Sequence, residues 1–138
     1  MSRVLPIGLF LLLTAGCRIS ERLPPPLLPE DSQPLPYTDL VSRARQQASA
    51  ANEAFYLNRW VDLERSADGL EQTARFLPKA TDVPARHRTS LPAEAADLGK
   101  DAVKLRDAAK TSNVNLTNQV LQRINLKVRE LRMESRYP

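Results

Sequence analysis

The stretch WVDLERSADGLEQTARFL, residues 60–77, carries the clearest helical signal in the chain. Its apolar members Trp60, Leu63, Ala67, Leu70, Ala74 and Leu77 recur at alternating steps of three and four, so on a helix of 3.6 residues per turn all six share one stripe. Upstream, Leu40, Ala44, Gln47, Ala51 and Ala54 keep the same rhythm, with Val41, Ala48 and Phe55 one position over. Six residues separate Ala54 from Trp60, where an unbroken stripe needs seven. That slip predicts a tight turn near Leu57 to Arg59, the alternative being one long bent helix. Downstream, Pro78, Pro84 and Pro92 bracket a stretch without periodicity, which reads as a loop. Leu91, Ala95, Leu98, Ala102, Leu105 and Ala109 make a third stripe starting beside Pro92, a residue suited to a first helical turn. KTSNVN breaks it and offers Ser112 or Asn113 as an N-cap. Val114, Thr117, Leu121, Ile124, Val128 and Leu131 complete a fourth stripe, with Val120 beside it. Alternating apolar runs and hairpin turn signals are lacking. The expected fold is all-α: an up-down-up-down four-helix bundle over residues 38–138, with helices of roughly 18–22 residues, each burying its stripe against the others. Gly69 and Gly99 sit inside helical patterns at a cost of about 1 kcal/mol each relative to alanine, either marking close crossings or simply tolerated.

The N-terminus is of a different kind. Arg3 is followed by thirteen uncharged residues, Val4 to Gly16, that narrow through Thr14, Ala15 and Gly16 to Cys17, the single cysteine of the chain. An apolar core of about 7–15 residues suits a secretory signal, whereas a helix that spans a bilayer takes roughly 20. LTAGC, residues 13–17, resembles the lipobox of bacterial lipoproteins, with Thr14 where that family more often carries an aliphatic residue. The resemblance implies removal of residues 1–16 as a signal peptide and attachment of diacylglycerol, usually with an amide-linked acyl chain such as palmitate, at Cys17. Several acyl chains embedded together hold a protein stably, because each buried methylene contributes about 0.8 kcal/mol. Arg18 follows in place of an acidic residue, which in enteric-type members goes with sorting to the outer membrane, on its periplasmic side. Lipidation also leaves no thiol for a disulfide, so stability falls to packing.

Residues 17–37 read as the lipidated N-terminus and a linker, with prolines at 24, 25, 26, 29, 34 and 36. Proline fixes φ and lacks an N–H, so polyproline II is expected, at about 3.1 Å per residue. Extended over Arg18 to Pro36, it would reach on the order of 60 Å and hold the domain clear of the bilayer. The same prolines also fit a ligand for a partner groove.

Chemistry is sparse. A serine or cysteine nucleophile needs a nearby base, yet the single imidazole, His87, lies in a loop between Arg86 and Arg88 and Cys17 is taken by lipid. Glu64, Asp68 and Glu71 on helix two, and Glu94, Asp97 and Asp101 on helix three, fall off the apolar stripes and read as solvated faces, with no metal site expected. In an up-down-up-down bundle His87 and Met133 come to one end, and histidine with methionine is a known axial pair for haem. Residues 38–138 faintly resemble the cytochrome c′ group of periplasmic four-helix proteins, but Val128, Leu131 and Arg132 stand where its two haem-binding cysteines and histidine would be. That resemblance implies a haem or redox carrier that has lost its covalent attachment. From the residues themselves, no cofactor and no catalysis are expected.

The chain carries 20 basic and 16 acidic residues, a net charge of +4. Arg129, Arg132 and Arg136 form a basic edge on helix four, while Lys127 is expected to pair with Glu130. An exported, tethered domain meets no nucleic acid. Its expected partners are the membrane through the anchor and either an envelope protein or anionic lipid and lipopolysaccharide. The expected role is that of a non-enzymatic envelope assembly or accessory factor, a task that pilotins, small helical lipoproteins escorting secretion-channel subunits, show to suit this architecture.

Overall fold

The structure is a computed structural model that describes residues 23–132. The signal segment, Cys17, Met133 and Arg136 lie outside the described residues. Four helices make up the fold: α1 (Tyr37–Tyr56), α2 (Trp60–Phe76), α3 (Leu91–Lys110) and α4 (Val114–Arg132). No β-strand occurs among the described residues, and an isolated parallel bridge joins Pro36 to Thr81. Each helix packs on two neighbours, α1 on α2 and α4, α3 on α2 and α4, which closes a four-helix bundle.

The turns explain the antiparallel order. After α1 the chain reverses within three residues, Asn58 taking a left-handed φ of 55° that asparagine tolerates better than most. The amides of Leu57 and Arg59 reach back to the carbonyls of Glu53 and Ala54 at 3.0 and 2.8 Å, covering helix-end acceptors that would otherwise lack partners. Two separate helices, not one bent one, account for the phase slip. The second short turn works alike: Ser112 adopts φ 50°, and Asn113 caps α4, its Oδ1 accepting the Leu116 N–H at 3.0 Å. At the other end Pro78 forces a 3₁₀ turn over Leu77–Lys79, and the connection to α3 runs to Ser90.

The core follows the four stripes. Leu40, Leu63, Leu70, Leu77, Leu98, Leu105 and Ile124 are essentially inaccessible, each stabilising the fold by about 1.5–3 kcal/mol through burial. Alanines 44, 51, 67, 95, 102 and 109 fill the remaining stripe positions and let the axes approach. Two stripe members behave differently. Val114 is exposed because it opens α4 beyond the end of the packed layer, and Trp60 is half-buried, its ring edge-on to Phe55 at 6.0 Å.

Polar side chains also enter the core. Gln47, on the α1 stripe, is fully buried and accepts a 2.8 Å hydrogen bond from Thr73 Oγ1 on α2. Its amide occupies the space that a side chain at position 69 would fill: a Cβ on Gly69 would stand 2.7 Å from Gln47 Nε2 and 3.1 Å from its Cδ. Gly99 differs, since a Cβ there would meet Ala74 Cβ at an ordinary 3.5 Å. The two mid-helix glycines therefore have different causes, a wedge at 69 and tolerance at 99.

Gly69→Ala is expected to lower stability by about 1–2 kcal/mol, because overpacking against a pinned amide outweighs the gain of about 1 kcal/mol in helix propensity. Gly99→Ala should raise stability by about 0.5–1 kcal/mol. Urea unfolding reads both signs, and a Gly69→Ala variant as stable as Gly99→Ala would show that Gln47 yields freely.

Candidate functional site

The proline-rich segment is docked onto the bundle. Gln72, buried on α2, clips Leu28 at both backbone groups: the Leu28 N–H donates to Gln72 Oε1 at 2.8 Å, and Gln72 Nε2 donates to the Leu28 carbonyl at 2.6 Å. Two residues on, Glu30 receives two hydrogen bonds from the Arg75 guanidinium, at 2.8 and 3.0 Å. Those bonds, with a further one from Gln72, hold the Glu30 carboxyl below its ordinary range and raise Arg75 above its own. The Pro26 carbonyl accepts a hydrogen bond from Arg43 on α1, whose pKa desolvation lowers. At its far end the segment joins the long loop, Thr81 N–H donating to Leu35 O at 3.0 Å and Tyr37 N–H to Thr81 O at 2.9 Å. Proline removes donors but leaves every carbonyl, so side chains of α1 and α2 can still grip such a segment. Sequence reasoning treats it as a free spacer, and the buried, off-stripe Gln72 is the signal it passes over.

This path carries the chain from α2 across α1, so that Leu23 lies in the wall of an open groove between α1 and α4. The groove has a volume of about 780 Å³. Ala48 and Val128 supply apolar surface, and Asn52 and Asn125 face each other with reciprocal amide hydrogen bonds of 3.0 and 3.1 Å. Three guanidinium groups border it: Arg45 from α1, Arg129 and Arg132 from α4. All three residues are exposed, and no carboxylate stands among the described lining residues. Arg129 and Arg132 are members of the basic edge expected on helix four; Arg45 was not anticipated, because it joins them only when α1 and α4 pack side by side.

The remaining cations of α4 are spent internally. Asp101, read as part of a solvated face, is buried, its side chain 5% exposed. It accepts hydrogen bonds from Lys127 Nζ at 2.6 Å and Arg123 Nε at 3.3 Å, tying α3 to α4. Lys127 thus reaches across to α3 instead of pairing along its own helix with Glu130. Asp101 sits at the margin of the α3 stripe, where a carboxylate is excluded from water and needs cationic partners. On α2, Asp68 likewise meets Arg106 of α3 at 3.2 Å.

His87 is also buried. Its ring stacks on Tyr37 with centroids 5.6 Å apart, and Nδ1 lies 3.9 Å from Glu94 Oε2 on the first turn of α3. A haem reaching this imidazole would have to displace Tyr37, whose hydroxyl donates to the Leu131 carbonyl at 2.7 Å. The arrangement suits a packing role at the bundle end better than axial ligation. Among the described residues, no three His, Cys, Asp or Glu side chains converge as a metal site, and no helix is long and apolar enough to cross a membrane.

No family model, curated protein or solved structure matches this chain.

Gln72→Ala should free the residues around Leu28 without unfolding the bundle: exchange of the Leu28 amide rises at least about tenfold, since its N–H loses its acceptor and its carbonyl loses its donor, while the Leu70 and Leu98 amides are unaffected. Glu30 has a folded pKa below its ordinary 4.5, so its contribution to docking is complete above that value and is lost as pH falls through the lower folded one. Acidifying the parent below pH 4.5 should therefore loosen the same residues. Unchanged protection of Leu28 in Gln72→Ala would show that the clip does not hold the segment.

Proposed function

We propose that this chain is a lipid-anchored protein of the bacterial cell envelope, held through Cys17 at the outer membrane and facing the periplasm, that works by binding as an assembly or accessory factor and not by catalysis. The observation that carries the binding role is an apolar tip. Tyr56 is 87% exposed, Val61 62%, Val114 55% and Leu57 50%, and the antiparallel topology brings their two short turns to one end of the bundle. Single exposed apolar residues are commonplace, but a group at one end of a domain whose own core is already filled is the kind of surface a protein partner covers. The docked proline-rich segment supports an anchored reading too, because it places Leu23, six positions from Cys17 in sequence, at a defined place on the bundle.

The test is chemical. Expressed in a bacterial host, the chain should incorporate labelled palmitate and fractionate with the outer membrane, its mature N-terminus being acylated Cys17. Cys17→Ala should abolish both. Photo-crosslinking from Tyr56 and Val61 should yield one reproducible envelope protein that is lost in Val61→Glu and is not reached from Lys104. An unmodified Cys17 in the host would overturn the anchor, and adducts indifferent to position would overturn the tip.

A further inference from the structure

The arginine-bordered groove and the path of the N-terminal segment bear on the same question, namely which way the bundle faces on its membrane. An undocked linker would put about 60 Å between anchor and domain. The docked one does not. Leu23 already forms part of the α1–α4 groove, and it is only six positions from Cys17, a reach of about 20 Å at full extension. The tether also carries Arg18 and Arg22 against a single Glu21. A chain lipidated at Cys17 thus keeps the groove side within reach of the bilayer, and that side presents Arg45, Arg129 and Arg132 with no carboxylate among the described groove residues.

We infer that the groove between α1 and α4 is a docking surface for anionic phospholipid headgroups of the leaflet that holds the anchor, fixing the orientation of the bundle on the membrane. The inference rests on the lipid-anchor reading and extends it to a named surface. Guanidinium groups match phosphate in geometry, offering paired N–H donors in a rigid fork. Asn52 and Asn125 satisfy each other's amides, which leaves the arginines as the charged donors facing the opening. Tethering makes the encounter effectively intramolecular, so modest attraction per arginine is sufficient. With the groove against the headgroups, Tyr56 on α1 lies eleven residues along the helix from Arg45, about 16 Å, so the apolar tip sits beyond the arginines at the end of the bundle.

The experiment uses the full chain, acylated in a bacterial host, with a fluorophore on Ser42→Cys at the groove and, in a second preparation, on Thr111→Cys at the α3–α4 turn. Acylation of Cys17 leaves the introduced cysteine as the single free thiol, which intact mass verifies. Each preparation is reconstituted into vesicles of phosphatidylcholine alone or with one quarter phosphatidylglycerol, and acrylamide quenching is measured. Each arginine near an anionic surface favours contact by roughly fivefold, so three favour the docked state on the order of a hundredfold. The Ser42 label should be shielded on the anionic vesicles only, the shielding should fade with added salt, and the Thr111 label should stay open on both. Reversal of all three charges (Arg45→Glu, Arg129→Glu, Arg132→Glu), at exposed positions, should abolish the shielding. Equal quenching at Ser42 on the two vesicle types, with Cys17 acylated, overturns the docking surface and leaves the anchor standing. A free Cys17 thiol overturns both.

Discussion

Tyr37 is the joint on which the open end of this bundle depends. Short turns close the opposite end by themselves, but here the start of α1, the end of α4 and the long α2–α3 connection have to be brought together by side chains. Tyr37 does so three ways: its N–H donates to Thr81, its hydroxyl caps the Leu131 carbonyl, and its ring stacks on His87. A helix ends with carbonyls that have no partner of their own, and a buried phenol satisfies one of them at a net gain of about 1 kcal/mol. The consequence reaches beyond stability. Because Pro36 is pinned beside Thr81, the proline-rich segment must leave along the bundle surface, where Gln72, Arg75 and Arg43 take hold of it.

Charge on α4 is divided by direction. The helix is rich in cations, and in isolation they would form a loose basic face compensated by neighbouring glutamates. In the bundle, Arg123 and Lys127 turn towards α3 and neutralise the buried Asp101, while Arg129 and Arg132 turn towards α1 and meet Arg45. The first pair is structural, since a carboxylate shielded from water is costly without a counter-charge. The second group faces solvent without a carboxylate beside it among the described groove residues, which is the condition under which arginines are available to an external anion.

The two remaining surface features point outward from the same scaffold. The apolar tip at the short-turn end and the basic groove on the α1–α4 side are chemically unlike, so they suit different contacts, one with a protein and one with headgroups. Such a division of labour asks little of the interior, which is filled with leucine and alanine and held by few polar contacts. Binding, on this reading, is a property of the ends and edges of the bundle.

Periodicity in the sequence was sufficient for the stripes, because apolar residues at steps of three and four share one helical face, while the slip of one residue between Ala54 and Trp60 left a turn or a bend open until the structure showed the turn. The break near Leu57 to Arg59, a cap at Ser112 or Asn113, the start of α3 beside Pro92 and the all-α class were legible from such patterns and from residue type. Cys17, Met133 and Arg136 fall outside the described residues. Tertiary structure alone decided the rest. Asp101 looked solvent-facing because a one-dimensional pattern records which face a residue is on but not how far a neighbouring helix overlaps it. Arg45 joined the basic edge, Gln72 gripped a segment read as free, and Gly69 came to lie tightly beneath Gln47, each through a partner between 22 and 87 positions away. Such pairings depend on the relative rotation and offset of packed helices, which local spacing does not encode.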